Sequence, residues 1–219
     1  MKIAVVTEVS TAAKNKDIMA ALKPSARGHH EIFNVGLKGE DGEPGLLIYE
    51  TGFLSALLLN LGCMDFVIGG CGTGQGYFNC VTQFPGITCG LLQDASDAWL
   101  YPRINGGNCV SLALNKGYGW AGEINLEFIF EKLFESEFGA GYPASRREPQ
   151  KKIREKYAIM SKATHKPFEQ IILDIDEEIF CNTMTFPGVI DVIQQNTPDK
   201  NSPAYRTLMQ RAGRIGAVV

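Results

Sequence analysis

The stretch DFVIGGCGTGQG, residues 65–76, decides the fold and raises the first question about function. Its first part, Asp65–Ile68, is short and apolar, which is typical of a buried β-strand. Its second part, Gly69–Gly76, has five glycines in eight residues, with Cys71 and Thr73 among them. Residues that can open a helix follow. The stretch therefore predicts a strand, a glycine loop and a helix.

The same alternation of strand and helix extends in both directions from this loop. The predicted strands are Lys2–Thr7, His30–Val35, Phe66–Gly69, Ile87–Leu92 and Cys109–Leu114. The predicted helices are Ala12–Leu22 (ended by Pro24), Leu46–Leu61, Gln75–Gln83, Asp94–Ile104 and Gly122–Phe138. Repeated βα units predict an α/β fold with a five-stranded, mainly parallel sheet.

The pattern changes at Gly139. The segment Arg146–Lys156 carries six cations and two glutamates, and beyond Tyr157 only Phe168–Phe180 and Pro187–Gln194 have the pattern of short helices. We therefore expect an α/β domain over residues 1–154 and a helical C-terminal extension of unknown role over residues 155–219.

Composition excludes several classes of protein. The 219 residues are 45% hydrophobic and 21% charged, with a net charge of −3, so no nucleic-acid partner is expected. The sequence has no signal peptide pattern and no 18-residue apolar run, which indicates a cytoplasmic protein without a membrane partner. The six cysteines form no C-x-x-C pair and there are three histidines, so no metal site is expected. No cofactor is expected either.

The glycine loop allows three interpretations. A nucleotide-binding P-loop requires a lysine, and this loop has none. A dinucleotide site would use Gly72, Gly74 and Gly76, with Asp94 on the ribose, but the third glycine comes one residue early. In the third interpretation the thiol of Cys71 lies where a helix N-terminus favours the thiolate, which can act as a general base. The hydroxyl of Thr73 can then donate to a developing oxyanion.

Motifs on both sides of the loop resemble the ribose-5-phosphate isomerase B and galactose-6-phosphate isomerase family. They are Cys71-Gly-Thr-Gly-Gln-Gly, Phe84-Pro-Gly-Ile, Asn105-x-x-Asn108, and Phe138-Gly-Ala-Gly followed by Arg146. The resemblance covers about residues 1–154. It implies a three-layer, Rossmann-like α/β/α sandwich and a homodimer with the active site at the subunit interface.

The resemblance also implies roles for individual residues. Cys71 would move a proton between C1 and C2 of an open-chain sugar phosphate. Thr73 and the N–H groups of Gly72, Gly74 and Gly76 would hold the enediolate oxygens. Glu8, Asn105 and Arg146 would contact the substrate, with Arg146 on its phosphate.

The sequence departs from the family pattern at several of these positions. Glu8-Val9 replaces the Asp-His of the first loop, Tyr142 replaces the first late arginine, and Ile104 replaces the histidine that opens the sugar ring. We therefore expect a divergent aldose–ketose isomerase of a pentose or hexose phosphate. A sugar-phosphate-binding protein without turnover and, less favoured, a nucleotide-binding domain are the alternatives.

Overall fold

A five-stranded parallel sheet forms the centre of the computed structural model, which describes residues 1–26 and 28–217. The sheet order is β2-β1-β3-β5-β4, and every pair of neighbours is parallel. The strands are β1 (Lys2–Val6), β2 (Glu31–Asn34), β3 (Phe66–Cys71), β4 (Cys89–Leu92) and β5 (Cys109–Ala113). The predicted α/β class and all five strands are confirmed.

Helices cover both faces of the sheet. Five of them follow the strands: α1 (Asn15–Ala26), α2 (Ile48–Asn60), α3 (Gln75–Val81), α4 (Ala95–Ile104) and α5 (Gly122–Phe134). Apolar residues of α1, α4 and α5 form one buried cluster with the sheet, and those of α2 and α3 form the other. Three layers result, as predicted. Within the described residues, no helix combines the length and the apolar character needed to cross a membrane.

Pro24 does not stop helix α1, contrary to the sequence prediction. The helix continues through it to Ala26. A proline removes one backbone hydrogen bond to the residue four positions earlier, but its fixed φ is compatible with a helix. Because Pro24 stands in the last turn of α1, only that turn loses a hydrogen bond.

In the part of the C-terminal region that the structure describes, all regular elements are helices, in agreement with the predicted extension. Its helices are α6 (Arg147–Thr164), α7 (Phe168–Asp174), α8 (Glu177–Thr185), α9 (Val189–Asn196) and α10 (Pro203–Arg214). The single helix predicted over Phe168–Phe180 is two helices, α7 and α8, and α10 was not predicted. Helix α6 runs through residue 154, so the proposed boundary between the two parts falls inside a helix.

Helix α2 explains where the C-terminal helices pack. Its residues Gly52–Leu58 are all buried, because the sheet covers one side and the C-terminal helices cover the other. The rings of Phe53 on α2 and Phe180 on α8 lie 6.3 Å apart between their centroids. A helix that is apolar on all sides needs such double cover. The extension and the α/β unit therefore share one hydrophobic core.

Candidate active site

Cys71 is the last residue of β3, at the carboxyl edge of the sheet, and its residue is 4% exposed. The strand continues two residues past the predicted end at Gly69. A β-carbon at Gly70 would lie 2.5 Å from the Leu112 carbonyl oxygen of β5, so this close pairing requires glycine. The extra length places the thiol at the mouth of the loop.

Thr73 lies beside this thiol. Its Oγ1 atom is 3.9 Å from Cys71 Sγ and accepts a hydrogen bond from the Gln75 N–H at 3.3 Å. The hydroxyl also has one proton to donate, either to the Cys71 sulfur or to a ligand oxygen. Thr73 itself is exposed at the loop surface. The structure thus brings together the two side chains for which sequence analysis predicted catalytic roles.

The loop glycines have different functions. The N–H of Gly74 donates to the Cys71 carbonyl at 3.2 Å, which corrects the prediction that it is free to bind substrate. Gly74 is instead required for its positive φ of 76° at the start of α3. The N–H groups of Gly72, Thr73 and Gly76 meet no acceptor among the residues that the structure describes. These three can serve as donors to an oxyanion.

Glu8 shapes the loop after β1. Its residue is 1% exposed, and its carboxylate accepts hydrogen bonds from the Ser10 N–H at 2.7 Å, the Ser10 hydroxyl and the Thr11 hydroxyl at 3.1 Å. This caps the 3₁₀ helix Val9–Lys14. Both carboxylate oxygens of Glu8 already accept hydrogen bonds, so Glu8 positions Ser10. Its carboxylate is therefore engaged and not free for the predicted contact with substrate.

Asn115 is a site residue that sequence analysis missed. Its N–H donates to the Gly72 carbonyl at 3.0 Å, and its side-chain Nδ2 donates to the Ser10 carbonyl at 3.3 Å. It thereby joins the loops after β1, β3 and β5. Its place just after β5, a strand of the same parallel sheet, was the signal that could have identified it.

The predicted substrate residue Asn105 lies at the opposite edge of the sheet. It caps the C-terminus of α4, four residues before β5 begins, and its side chain is exposed. It lines one end of a cleft of about 370 Å³ that follows the outer edge of β4 between Phe78 of α3 and Leu100 of α4. The cleft gives a ligand access to Asn105 from solvent.

An arginine of the basic segment contacts this edge. Arg146, predicted to bind phosphate, precedes α6, and its residue is exposed. Arg154 lies about two turns further along α6 and donates from Nη1 to the Ile104 carbonyl at 3.0 Å. The guanidinium of Arg154 therefore contacts the segment that carries Asn105, a contact that sequence analysis did not predict.

Site residues form two groups at opposite edges of the sheet. We call Cys71, Gly72, Thr73 and Gly76 the carboxyl-edge group, and Asn105 and Arg154 the amino-edge group. The five residues of β5 separate the edges by roughly 13 Å at 3.3 Å per residue. A reacting carbon must lie about 3–3.5 Å from its base, so a substrate bound at Cys71 has its reacting end at the carboxyl edge.

Asp94, on which the dinucleotide interpretation depended, caps helix α4. Its Oδ1 accepts hydrogen bonds from the Ser96 N–H at 2.8 Å and the Asp97 N–H at 3.0 Å. The backbone hydrogen bond from Asp97 and the hydroxyl of Ser96 lower the pKa of the Asp94 carboxyl. This oxygen is thus engaged in holding the helix.

Comparisons with known proteins show the family of the chain. A family model for ribose/galactose isomerases matches residues 3–148. No curated protein matches the chain. A crystal structure of 4-deoxy-L-threo-5-hexosulose-uronate ketol-isomerase, complexed with a tartrate, is 34% identical and covers 100% of both chains, with a TM-score of 0.92.

Two further structures define how far the similarity extends. Ribose-5-phosphate isomerase from Vibrio parahaemolyticus is 34% identical, with 98% of this chain and 99% of that chain covered and a TM-score of 0.90. The type B ribose 5-phosphate isomerase of Trypanosoma brucei is 18% identical, covers 73% of this chain and 97% of its own, and has a TM-score of 0.60, so it shares the fold. The chain belongs to the ribose/galactose isomerase family.

Proposed function

We propose that the protein is an aldose–ketose isomerase of an open-chain, acidic sugar, with Cys71 as the base. The observation that carries this proposal is the pairing of Cys71 and Thr73 at the end of β3, with their side chains 3.9 Å apart beside free N–H groups. A base, an oxyanion donor and a pocket for a carbonyl are the requirements of proton abstraction next to a carbonyl.

In the proposed mechanism the Cys71 thiolate removes the proton from C2 of the aldose. The electron pair of the broken C–H bond forms the C1–C2 double bond, and the carbonyl electrons move to O1. The Thr73 hydroxyl and the Gly72 N–H stabilise the resulting enediolate. The thiol returns the proton to C1, and the hydroxyl proton passes from O2 to O1. The ketose therefore has the composition of the aldose, and no external oxidant is required.

Ile104 favours a substrate that needs no ring opening. The family resemblance places a histidine there for that step, and an isoleucine side chain cannot transfer protons. In 4-deoxy-L-threo-5-hexosulose-uronate, the substrate named for one full-length neighbour, C5 is a ketone and lacks the hydroxyl that closes a six-membered ring. We infer that a 5-keto uronate of this class fits the site best.

A sugar phosphate is the second candidate for the substrate. It is favoured by the equal identity, 34%, to the Vibrio parahaemolyticus ribose-5-phosphate isomerase. Both candidates are open-chain aldoses in the reacting form, and both end in an anion. They differ in the anion and in the need for ring opening, so a direct comparison of turnover separates them.

We further propose that the active site is formed at the interface of a homodimer. The two groups of site residues face opposite edges of one sheet, which supports a site that is completed by a partner subunit. The outer edge of β4 also has no strand beside it in the described chain, and Leu100 next to it is 37% exposed. An open strand edge is a natural surface for association.

The test is a comparison of kcat/KM for 4-deoxy-L-threo-5-hexosulose-uronate and ribose 5-phosphate, in the wild type and in Ile104→His. We expect the wild type to prefer the uronate. The histidine variant should gain on ribose 5-phosphate and not on the uronate, because only the cyclic sugar requires a ring-opening acid. A wild type that prefers ribose 5-phosphate would support the second candidate, and a wild type that isomerises neither would overturn the proposal.

A further inference from the structure

Arg154 differs from the other cations of the basic segment. Of the six cations in residues 146–156, it alone is half-buried, whereas the other five are exposed. Its guanidinium is fixed by the Ile104 carbonyl at 3.0 Å from Nη1 and by the Gly139 carbonyl at 3.5 Å from Nη2. The side chain is thus held in one orientation, while its neighbours on α6 extend into solvent.

The charge of Arg154 has no counter-ion within the described residues. The nearby Arg103 lies 3.8 Å from Glu135, and Arg147 lies 3.0 Å from Glu137, but no carboxylate lies within 4.0 Å of Arg154. A guanidinium has five N–H donors, and the two carbonyls use two of them. Arg154 therefore offers a fixed positive charge with unused donors.

The Arg154 guanidinium lies beside the segment that carries Asn105. The carbonyl that accepts from Nη1 belongs to Ile104, the preceding residue, and a β-carbon at Gly106, the following residue, would lie 3.3 Å from Arg154 Cδ. The amide predicted to bind sugar hydroxyls and the unpaired guanidinium therefore belong to one surface. A polar sugar chain with an anion at its end matches that pair.

We propose that Arg154 binds the acid group of the substrate and determines the specificity for acidic sugars. This inference rests on the proposed function and assigns its anion subsite. A guanidinium recognises a carboxylate or a phosphate through two parallel N–H···O hydrogen bonds. Arg154 is already ordered by the two carbonyls, so binding costs little side-chain entropy, whereas the exposed Arg146 would have to be ordered by the ligand.

A purely structural role for Arg154 makes a different prediction. If the guanidinium only connects α6 to the Ile104 and Gly139 carbonyls, its loss should disturb the active site for every substrate alike. If it binds the acid group, its loss should matter only for ligands that have one. An uncharged open-chain aldose of the same length and competitive inhibition by tartrate, a dicarboxylate, distinguish the two roles.

The experiment uses the full chain with Arg154→Gln, Arg154→Lys, Arg146→Gln and the matched control Lys152→Gln, which removes an exposed cation from the same helix. We expect Arg154→Gln to raise the KM for the acidic substrate and the inhibition constant of tartrate by roughly tenfold to hundredfold, the range of a charge-assisted contact. Turnover of the uncharged aldose should stay at the wild-type level. Arg154→Lys should be intermediate, and Lys152→Gln should resemble the wild type. Parallel measurements with the uronate and ribose 5-phosphate show whether a carboxylate or a phosphate is bound.

Three results would overturn the inference. In the first, Arg154→Gln has the same KM and tartrate inhibition constant as Lys152→Gln. In the second, Arg154→Gln loses activity equally on charged and uncharged substrates, and in the third KM rises in Arg146→Gln alone. Failure of the proposed function is distinguishable, because the wild type itself would then isomerise neither acidic substrate. In that case calorimetric binding of tartrate to the wild type and to Arg154→Gln still tests the anion site.

Discussion

Pairing a subunit that carries Cys71→Ala with one that carries Asn105→Trp should restore activity that neither variant has alone. The alanine removes the proposed base, and the indole at an exposed position fills the cleft beside β4. The two positions lie at opposite sheet edges, roughly 13 Å apart along β5 alone. If each active site of a homodimer combines Cys71 of one subunit with Asn105 of the other, one site of the mixed dimer has both defects and the other has none.

The expected magnitude follows from this count of sites. A purified heterodimer, isolated through two different affinity tags, should have about half the wild-type activity per dimer, because one of two symmetric sites is intact. Each variant homodimer should be nearly inactive. The reciprocal control places both substitutions in one chain and pairs it with a wild-type chain. Each site of that dimer then has one defect, so we expect almost no activity.

The opposite pattern would refute the reasoning. If each site is built within one chain, the dimer of single variants is inactive and the dimer with the double variant keeps about half the activity. A wild-type protein that is active as a monomer would also refute the reasoning. The isomerisation rate and the molecular mass in solution distinguish these outcomes.

Two further predictions concern the scaffold of the site. Phe180→Ala should lower the free energy of unfolding by about 3–5 kcal/mol, because the ring is fully buried between Phe53 and the Arg211 guanidinium. Urea denaturation should still show one cooperative transition, and two separate transitions would contradict the shared core. Gly69→Ala should cost about 1–3 kcal/mol, since its β-carbon would lie 2.5 Å from the Tyr77 hydroxyl oxygen; an unchanged melting temperature would contradict this packing.

Much of the fold follows from local patterns in the sequence. The apolar runs of β1, β3 and β5 identified the buried strands, and the glycine loop identified the carboxyl edge that carries Cys71 and Thr73. The apolar character of α2 on every side was also visible. The second layer of helices over α2 was predicted only in part, because the helical patterns over Phe168–Phe180 and Pro187–Gln194 do not show what these segments pack against.

The arrangement of the site was harder to predict. Asn105 was grouped with Cys71 because the family resemblance assigns both residues to one substrate. Its place just before β5 nevertheless puts it at the amino edge, since parallel strands all begin there. Arg154 is one of six cations in residues 146–156, and only its contacts with the Ile104 and Gly139 carbonyls distinguish it from the others. Such contacts depend on how α6 packs, which a local pattern does not determine.

The most direct test of the central claim is the isomerisation rate of 4-deoxy-L-threo-5-hexosulose-uronate in D2O, followed by proton NMR at C1 and C2, for the wild type and Cys71→Ala. The matched control is Cys181→Ala, which removes a thiol on α8, outside the site. We predict ketose formation by the wild type and the control, and a rate roughly 10²–10⁴-fold lower for Cys71→Ala, the usual contribution of a general base. Conversion by a folded Cys71→Ala variant at the wild-type rate would contradict the claim that Cys71 moves the proton.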